Sequence, residues 1–429
     1  MTPEELMALA AELFPIPRSI TGPGARETLE VVRRRIPLDV VEVPSGSPAL
    51  DWTVPAEWSV REAWLEAPDG TRLADYAENP LQLLGYSVSY DGVVSRDELL
   101  EHVFTLEDRP HAVPYRTAYY TERWGFCLAY DVVRDLPDGD YRVHIDTTHH
   151  TSGSLSYGEL VVPGRSDDEV LVSTHICHPL QANDNVSGIV AATALAQHVL
   201  SAPRELTYRF VFVPGTIGSI VWLSRHRDAA DRVRAGMVLT ALGDPARFVY
   251  KQSRRGGRWI DEVVPAALAA AGVEHEVRAF DPYGYDERQY CSPGFDLPVG
   301  RLSRSTHAEY PEYHTSLDDL SFIDGASLAA SVGVLEGVVD LLEHDRCWRS
   351  TSPYGEPQLG RRGLYRQIGA TIDAKARELA LLWVLSGADG STPLREVAQR
   401  SGLEFAALRD AASLLHEHGL LADPALPPA

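Results

Sequence analysis

The sequence predicts an α/β fold: a mostly parallel sheet with flanking helices, an inserted small β-rich domain, and a winged-helix-like C-terminal domain. Three observations carry this. Between about Leu155 and Leu342, apolar strand-like runs alternate with helix-like segments, the pattern of a parallel sheet covered by helices. From Trp52 to about Gly153 helical periodicity is almost lost, and short alternating or aromatic runs are broken by turns such as Ala67-Pro-Asp-Gly70 and Leu136-Pro-Asp-Gly139. Beyond Thr351, three helical segments follow, two of them meeting at Ser401-Gly402, as in a winged helix. The expected division is residues 1–48 with 154–346 for the α/β domain, 49–153 for the insertion and 355–429 for the C-terminal domain.

In order, an amphipathic helix opens the chain, with Leu6, Leu9 and Leu13 among acidic residues, and a second runs from Gly24 to Arg35. Val40–Val43 reads as a strand. Inside the insertion the capped segment Ser95–His102 is the one clear helix. The α/β domain then shows a strand ending at His175 and a helix from Val186 to Leu200. A strand over Leu206–Pro214 turns at Gly215-Thr-Ile-Gly-Ser into a helix through His226. A third strand, Met237–Leu242, ends in Gly243-Asp244. Leu297–Leu302 leads into a loop carrying Tyr310-Pro-Glu-Tyr-His-Thr-Ser-Leu-Asp318, and a helix from Gly325 to Glu343 closes the domain. In the tail, Ile372–Ser386, Thr392–Ser401 and Glu404–His418 read as helices.

Composition sets limits. With 429 residues, 44% hydrophobic and 23% charged, the chain is an ordinary globular protein of two or three domains. A formal charge of −22 argues against a nucleic-acid surface over the whole molecule. The helix Glu404–His418 has Arg409 as its one Lys or Arg, so the winged-helix pattern is expected to serve protein contacts rather than DNA. Four scattered cysteines without CxxC spacing point to reduced thiols in a cytoplasmic protein, and no run is apolar enough to predict a membrane span.

The chemistry concentrates in Ser173-Thr-His-Ile-Cys-His-Pro-Leu-Gln-Ala-Asn-Asp-Asn-Val-Ser-Gly188. His175, His178 and Asp184 lie between a strand's C-terminal end and a helix, the edge where open α/β sheets bind ligands. Asp244 and His314 fall at the same predicted edge. Imidazoles with carboxylates suit one or two zinc ions. Taken singly, Asp184 also fits a helix N-cap, His175 a core histidine, Asp244 a turn residue before Pro245, and His314 a loop histidine bonded to Asp318.

On these motifs the chain resembles the zinc aminopeptidase family with co-catalytic zinc, which also includes glutaminyl cyclases. His175 matches the family's first His, Asp184 with Asn185-Val-Ser-Gly188 its bridging Asp, Asp244 its later Asp, and His314-Thr-Ser-Leu-Asp318 its last motif. The resemblance is closer to a subgroup of bacterial aminopeptidase-like proteins with an inserted β domain and a C-terminal winged helix. Trp124-Gly-Phe-Cys, Cys177-His-Pro, Asn183-Asp-Asn and Tyr313-His-Thr-Ser-Leu-Asp carry it. It implies metal ligands His175, Asp184, Asp244 and His314, with His178 as an alternative. It also implies a setting in polysaccharide or natural-product pathways.

Two departures matter. The Asp expected two residues after the first His is Cys177. The family's Glu-Glu-x-Gly reads Gly215-Thr216-Ile217-Gly218, so the general-base Glu and a zinc-ligand Glu are both missing. One zinc is therefore expected rather than two, and the catalytic position is Gly215. A Glu restored there is expected to raise hydrolysis by about 10². Glu287, Asp286 and Glu309 are candidate replacement bases; Arg288, Arg304 and Tyr313 are candidate substrate-binding residues. The expected function is zinc-dependent hydrolysis of an amide or peptide bond in a small acylated or aminoacyl substrate. The alternative is a catalytically silent metal-binding protein acting as a binding or scaffold module. A small-molecule or short-peptide partner is expected, with no nucleic acid and no membrane, and a homo-oligomer is left open.

Overall fold

The computed structural model describes residues 1–364 and 372–427. Eight strands form the main sheet, in the spatial order Asp39–Pro44, Ser154–Val162, Thr207–Val213, Glu169–His175, Val233–Leu239, Val299–Ser303, Phe248–Lys251 and His275–Arg278. Four of its seven pairings are parallel and three antiparallel. The central strands Glu169–His175 and Thr207–Val213 are buried along their whole length. Both faces are covered, which is why these runs read as nearly continuous apolar sequence.

Alternation along each strand divides the core. Tyr208, Phe210 and Phe212 enter a core with helices Pro3–Leu13, Pro23–Arg33, Gly188–Leu200, Trp259–Ala270 and Gly325–His344. Val211 and Val213 enter a second core on the opposite face, with helix Ile217–Arg225. On the neighbouring strand, Val170 and Val172 face the first core and Leu171 the second. The two-residue period then puts Ser173 and His175 on the second face. Helix Gly325–His344 is long and apolar enough to cross a membrane by composition, but it buries Leu328, Leu335 and Val338 in the first core.

The second face is covered by residues of the insertion. Arg72–Asp75, Glu57–Glu66, Asp140–His150 and Tyr90–Ser95 form an antiparallel sheet in that order. Its Trp58, Leu65, Tyr141 and Val143 share one apolar cluster with Val211, Trp222 and Tyr290 of the α/β part. Chain segments on either side of this sheet, Asp39–Pro44 and Ser154–Val162, pair with each other in the main sheet.

The C-terminal helices Ile372–Gly387, Leu394–Ser401 and Phe405–Glu417 close over their own core of Leu381, Val384, Leu408 and Leu415. Helix Leu394–Ser401 stops at Gly402, whose left-handed φ of 67° suits a residue without a Cβ. Buried Asp345 welds this part to the α/β domain: it accepts from Trp259 Nε1 at 2.9 Å and from the Arg395 backbone N–H at 2.9 Å.

The structure adds elements that the sequence pattern does not reveal: strands Phe248–Lys251 and His275–Arg278 and the helix between them. It also shortens one. The strand expected to reach Leu242 ends at Leu239, so Asp244 lies five residues beyond it.

Candidate metal centre and active site

His175 leaves the C-terminal end of its strand on the insertion's side of the sheet. The segment that follows folds back through Ala182–Ser187, bringing Asp184 beneath it. His175 Nε2 lies 2.9 Å from Asp184 Oδ1, and His314 Nε2 lies 3.1 Å from Asp184 Oδ2. His178 Nε2 stands 3.9 Å from the same Oδ2. Donor atoms of His175, His178 and Asp184 lie within 4.8 Å of one another. Burial pushes the Asp184 carboxyl up, but the three imidazoles pull harder and hold it well below the usual carboxylate range. Burial keeps His178 neutral, with its pKa well below that of a free imidazole.

The surroundings fix these side chains. Asp318 accepts the backbone N–H groups of Asn183 at 2.6 Å and Asp184 at 2.9 Å, pinning the loop. Burial pushes the Asp318 carboxyl up, against the pull of these two N–H groups. Cys177 Sγ is 3.2 Å from His178 Nδ1, so the thiol at the family's Asp position steadies the adjacent imidazole. His314 has a left-handed φ of 53°, uncommon for a non-glycine residue. Its carbonyl accepts from Tyr115 N–H at 2.8 Å, and its ring stacks on Tyr313 with centroids 3.9 Å apart. Tyr115 belongs to the insertion and packs edge-on to His314 and tilted against His178, so the insertion forms part of the wall.

The donor set fits zinc. A tetrahedral ion with bonds of about 2.1 Å holds its ligand atoms roughly 3.4 Å apart. The Nε2 atoms of His175, His314 and His178 stand 2.9, 3.1 and 3.9 Å from the Asp184 oxygens, which brackets that value. Asp244 lies outside the cluster, correcting the expectation from sequence. Its oxygens accept from Asn183 Nδ2 at 2.9 Å, Ala246 N–H at 3.1 Å and Ser305 Oγ at 2.7 Å, which leaves it a brace for the loop.

Beside the cluster opens a pocket of about 200 Å³, lined by His175, His178, Gly215, Thr216, Asp286, Arg288, His307, Tyr313 and the Tyr283–Tyr285 turn. Gly215 lines this pocket. A Cβ there would meet His175 Cβ at 3.1 Å and Asp286 Oδ2 at 3.4 Å. Asp286 thus fills the space beside the missing Glu. Ser219 Oγ donates to its Oδ1 at 2.7 Å, while Oδ2 is buried without a partner. Burial raises this carboxyl to about 6, against the pull of His175.

Three other candidates are corrected. Glu287 does not line the pocket; fully buried, it faces Lys251 Nζ at 2.5 Å and Arg301 at 3.8 Å. Glu309 is held by Arg278 at 2.7 Å and 3.1 Å. Arg304 is spent on Ser331 Oγ, the Ala246 carbonyl and the Phe248 ring, away from the pocket. Arg288 and Tyr313 do line it.

His307 is a pocket residue that sequence reasoning missed. Buried Arg301 donates from Nη1 to His307 Nδ1 at 2.9 Å. A guanidinium has no acceptor, so Nδ1 must be the bare nitrogen. Burial, with Arg301 adding to it, lowers the His307 pKa to about 4, so the ring is neutral and its one proton sits on Nε2. The signal in the sequence was a His in a Tyr- and His-rich loop, with no spacing to distinguish it from the rest.

A family model described as "Domain of unknown function (DUF4910)" matches residues 7–345, and one described as a winged helix-turn-helix matches residues 346–423. A Clostridium acetobutylicum protein, whose name couples polysaccharide biosynthesis with an aminopeptidase-like domain, is 41% identical over 417 residues. That covers 97% of this chain and 96% of the relative. A crystal structure from the same organism, named for a peptidase, superimposes with a TM-score of 0.91 at 39% identity, covering 98% of this chain and 96% of its own. A zinc aminopeptidase from Bacillus subtilis superimposes with a TM-score of 0.59 at 11% identity, over 79% of this chain and 94% of its own, a likeness of fold alone. The chain belongs to the aminopeptidase-like family in which this domain of unknown function is followed by a C-terminal winged helix.

Proposed function

We propose that the protein is a zinc-dependent amide hydrolase of aminopeptidase type, acting on a small acylated or aminoacyl substrate. The observation that carries this reading is the convergence of three imidazoles on Asp184 beside a pocket lined by Asp286, whose Oδ2 has no hydrogen-bond partner. His175, His178, Asp184 and His314 would hold one zinc ion. Thr216 stands where the family's further ligand Glu would be, which favours one ion over two. When bound, zinc would supply Lewis-acid polarisation of the amide carbonyl and of water.

The chain's own groups divide the remaining work. Asp286 Oδ2 accepts the proton of the attacking water and passes it to the leaving nitrogen. His307 Nε2–H donates to the carbonyl oxygen as negative charge grows there, a kind of contact worth about 10²–10³ in kcat. Arg288 pairs with a substrate carboxylate. The aromatic walls, Tyr115 and Tyr313 among them, limit water around the reacting bond. The relative's name supports a setting in polysaccharide biosynthesis, and four buried unpaired cysteines support the cytoplasm. Gly215 favours a rival reading, a metal-binding protein without turnover.

Single-turnover hydrolysis of a panel of aminoacyl and N-acyl amino acid amides, at matched zinc content, separates the two. Asp286→Asn is expected to lower the rate by about 10²–10⁴, the usual worth of a general base. His307→Phe is expected to lower it by about 10²–10³. No turnover of any substrate by the unmutated protein favours the silent reading.

A further inference from the structure

A second chamber of about 210 Å³ adjoins the pocket and shares Gly215, Thr216 and Arg288 with it. Its other walls come from both parts of the molecule. Ile217 and Ile220 are on the helix after Gly215; Trp52 and Tyr120 belong to the insertion. Trp52 and Tyr120 are 46% and 57% exposed, unusual for large aromatic side chains that stabilise a core, and their rings meet with centroids 5.4 Å apart. At the neck between the chambers, Arg288 makes no ion pair among the described residues, and its Nε is buried without a partner. Lack of a side chain at Gly215 keeps the neck open, since a Cβ would close on His175 and Asp286.

Three different chemistries thus surround one neck: the histidine–carboxylate cluster, an unpaired guanidinium and an apolar aromatic chamber. In an N-acyl amino acid, the amide nitrogen, the carboxylate and the side chain all leave a single carbon. Placing that carbon at the neck sends each group toward its own chemistry. We propose that the second chamber binds the side chain of an N-acyl amino acid with an aromatic or large apolar side chain, its carboxylate on Arg288.

The proposal rests on the hydrolase reading for the position of the amide, so its test is a binding measurement that turnover does not enter. Zinc-loaded full-length Asp286→Asn protein is titrated calorimetrically with N-acetyl-L-phenylalanine, its primary amide, N-acetylglycine and N-acetylglucosamine. N-acetyl-L-phenylalanine is expected to bind at least tenfold more tightly than the other three. Adding Arg288→Gln should remove its advantage over the amide. Adding Trp52→Ala or Tyr120→Ala, both exposed enough to leave folding intact, should remove its advantage over N-acetylglycine. Equal affinities, tighter binding of N-acetylglucosamine, no detectable binding of N-acetyl-L-phenylalanine, or binding indifferent to Arg288→Gln would overturn the assignment. Such a failure leaves the hydrolysis experiment untouched. A protein that binds this probe as expected but turns over no amide would keep the chamber and lose the hydrolase.

Discussion

One carbon at residue 215 decides where the site's carboxylate stands. The backbone there is not left-handed, so a side chain is conformationally allowed, and the obstacle is Asp286 Oδ2 at 3.4 Å from the Cβ position. This changes the expectation that restoring Glu simply raises the rate. Gly215→Glu in the otherwise unmutated protein would crowd two carboxylates against His175, and like charges in one buried site cannot both ionise freely. It is expected to give no gain alone but to recover at least about tenfold of the rate lost in Asp286→Asn, since a positioned base is worth about 10²–10⁴. Single-turnover rates of the two single variants and the double variant measure this; a double variant no faster than Asp286→Asn would place the base elsewhere. Asp286 and Glu287 are adjacent at the start of a short helix, and successive residues there point about 100° apart. Pattern alone cannot tell which one enters a pocket. The family's spacing points to position 177 rather than to His178, and the thiol's contact with His178 Nδ1 exists only in three dimensions.

At the scale of elements, the loop after His175 depends on a partner 134 residues away. Asp318 uses one oxygen for each of two backbone N–H groups, those of Asn183 and Asp184. An amide in its place has one acceptor and one donor, so Asp318→Asn sets a donor against a backbone N–H. Mutation of groups that orient metal ligands typically costs about 10- to 100-fold in affinity. Competition with a zinc chelator should show a loss of that size for Asp318→Asn; unchanged zinc affinity would remove its orienting role. The strands carrying the site were legible because they are long, buried and nearly all apolar. Phe248–Lys251 and His275–Arg278 were not, since four residues are too few to establish alternation. The apolar run Met237–Leu242 continues three residues past the end of the strand at Leu239, so pattern alone sets Asp244 at the sheet edge.

For the whole molecule, the notable feature is that covering parts also build the site. The insertion supplies Tyr115 against two of the histidines and Trp52 and Tyr120 to the second chamber. Its β-rich character was readable from turns and short runs, but its packing against the main sheet was not, because those contacts join residues far apart in the chain. The winged helix makes its own contact: Arg409 of helix Phe405–Glu417 pairs with Asp340 of the α/β part at 3.1 Å. The one Lys or Arg of that helix thus faces Asp340. With a net charge of −22, mobility shift on random duplex at moderate salt is expected to show no tight, salt-steep binding. A steep salt slope would assign the module to DNA instead.

The proposed centre has one zinc ion on His175, His178, Asp184 and His314, with Asp244 bracing the loop. Zinc content per chain, measured by elemental analysis after reconstitution and desalting, tests it most directly. About one zinc is expected in the unmutated protein and in Asp244→Asn, and a substantial loss in Asp184→Asn and His314→Ala, because a four-ligand site rarely survives removal of a member. An unmutated protein that retains no zinc, or an Asp244→Asn protein that loses it as completely as Asp184→Asn, would contradict the claim.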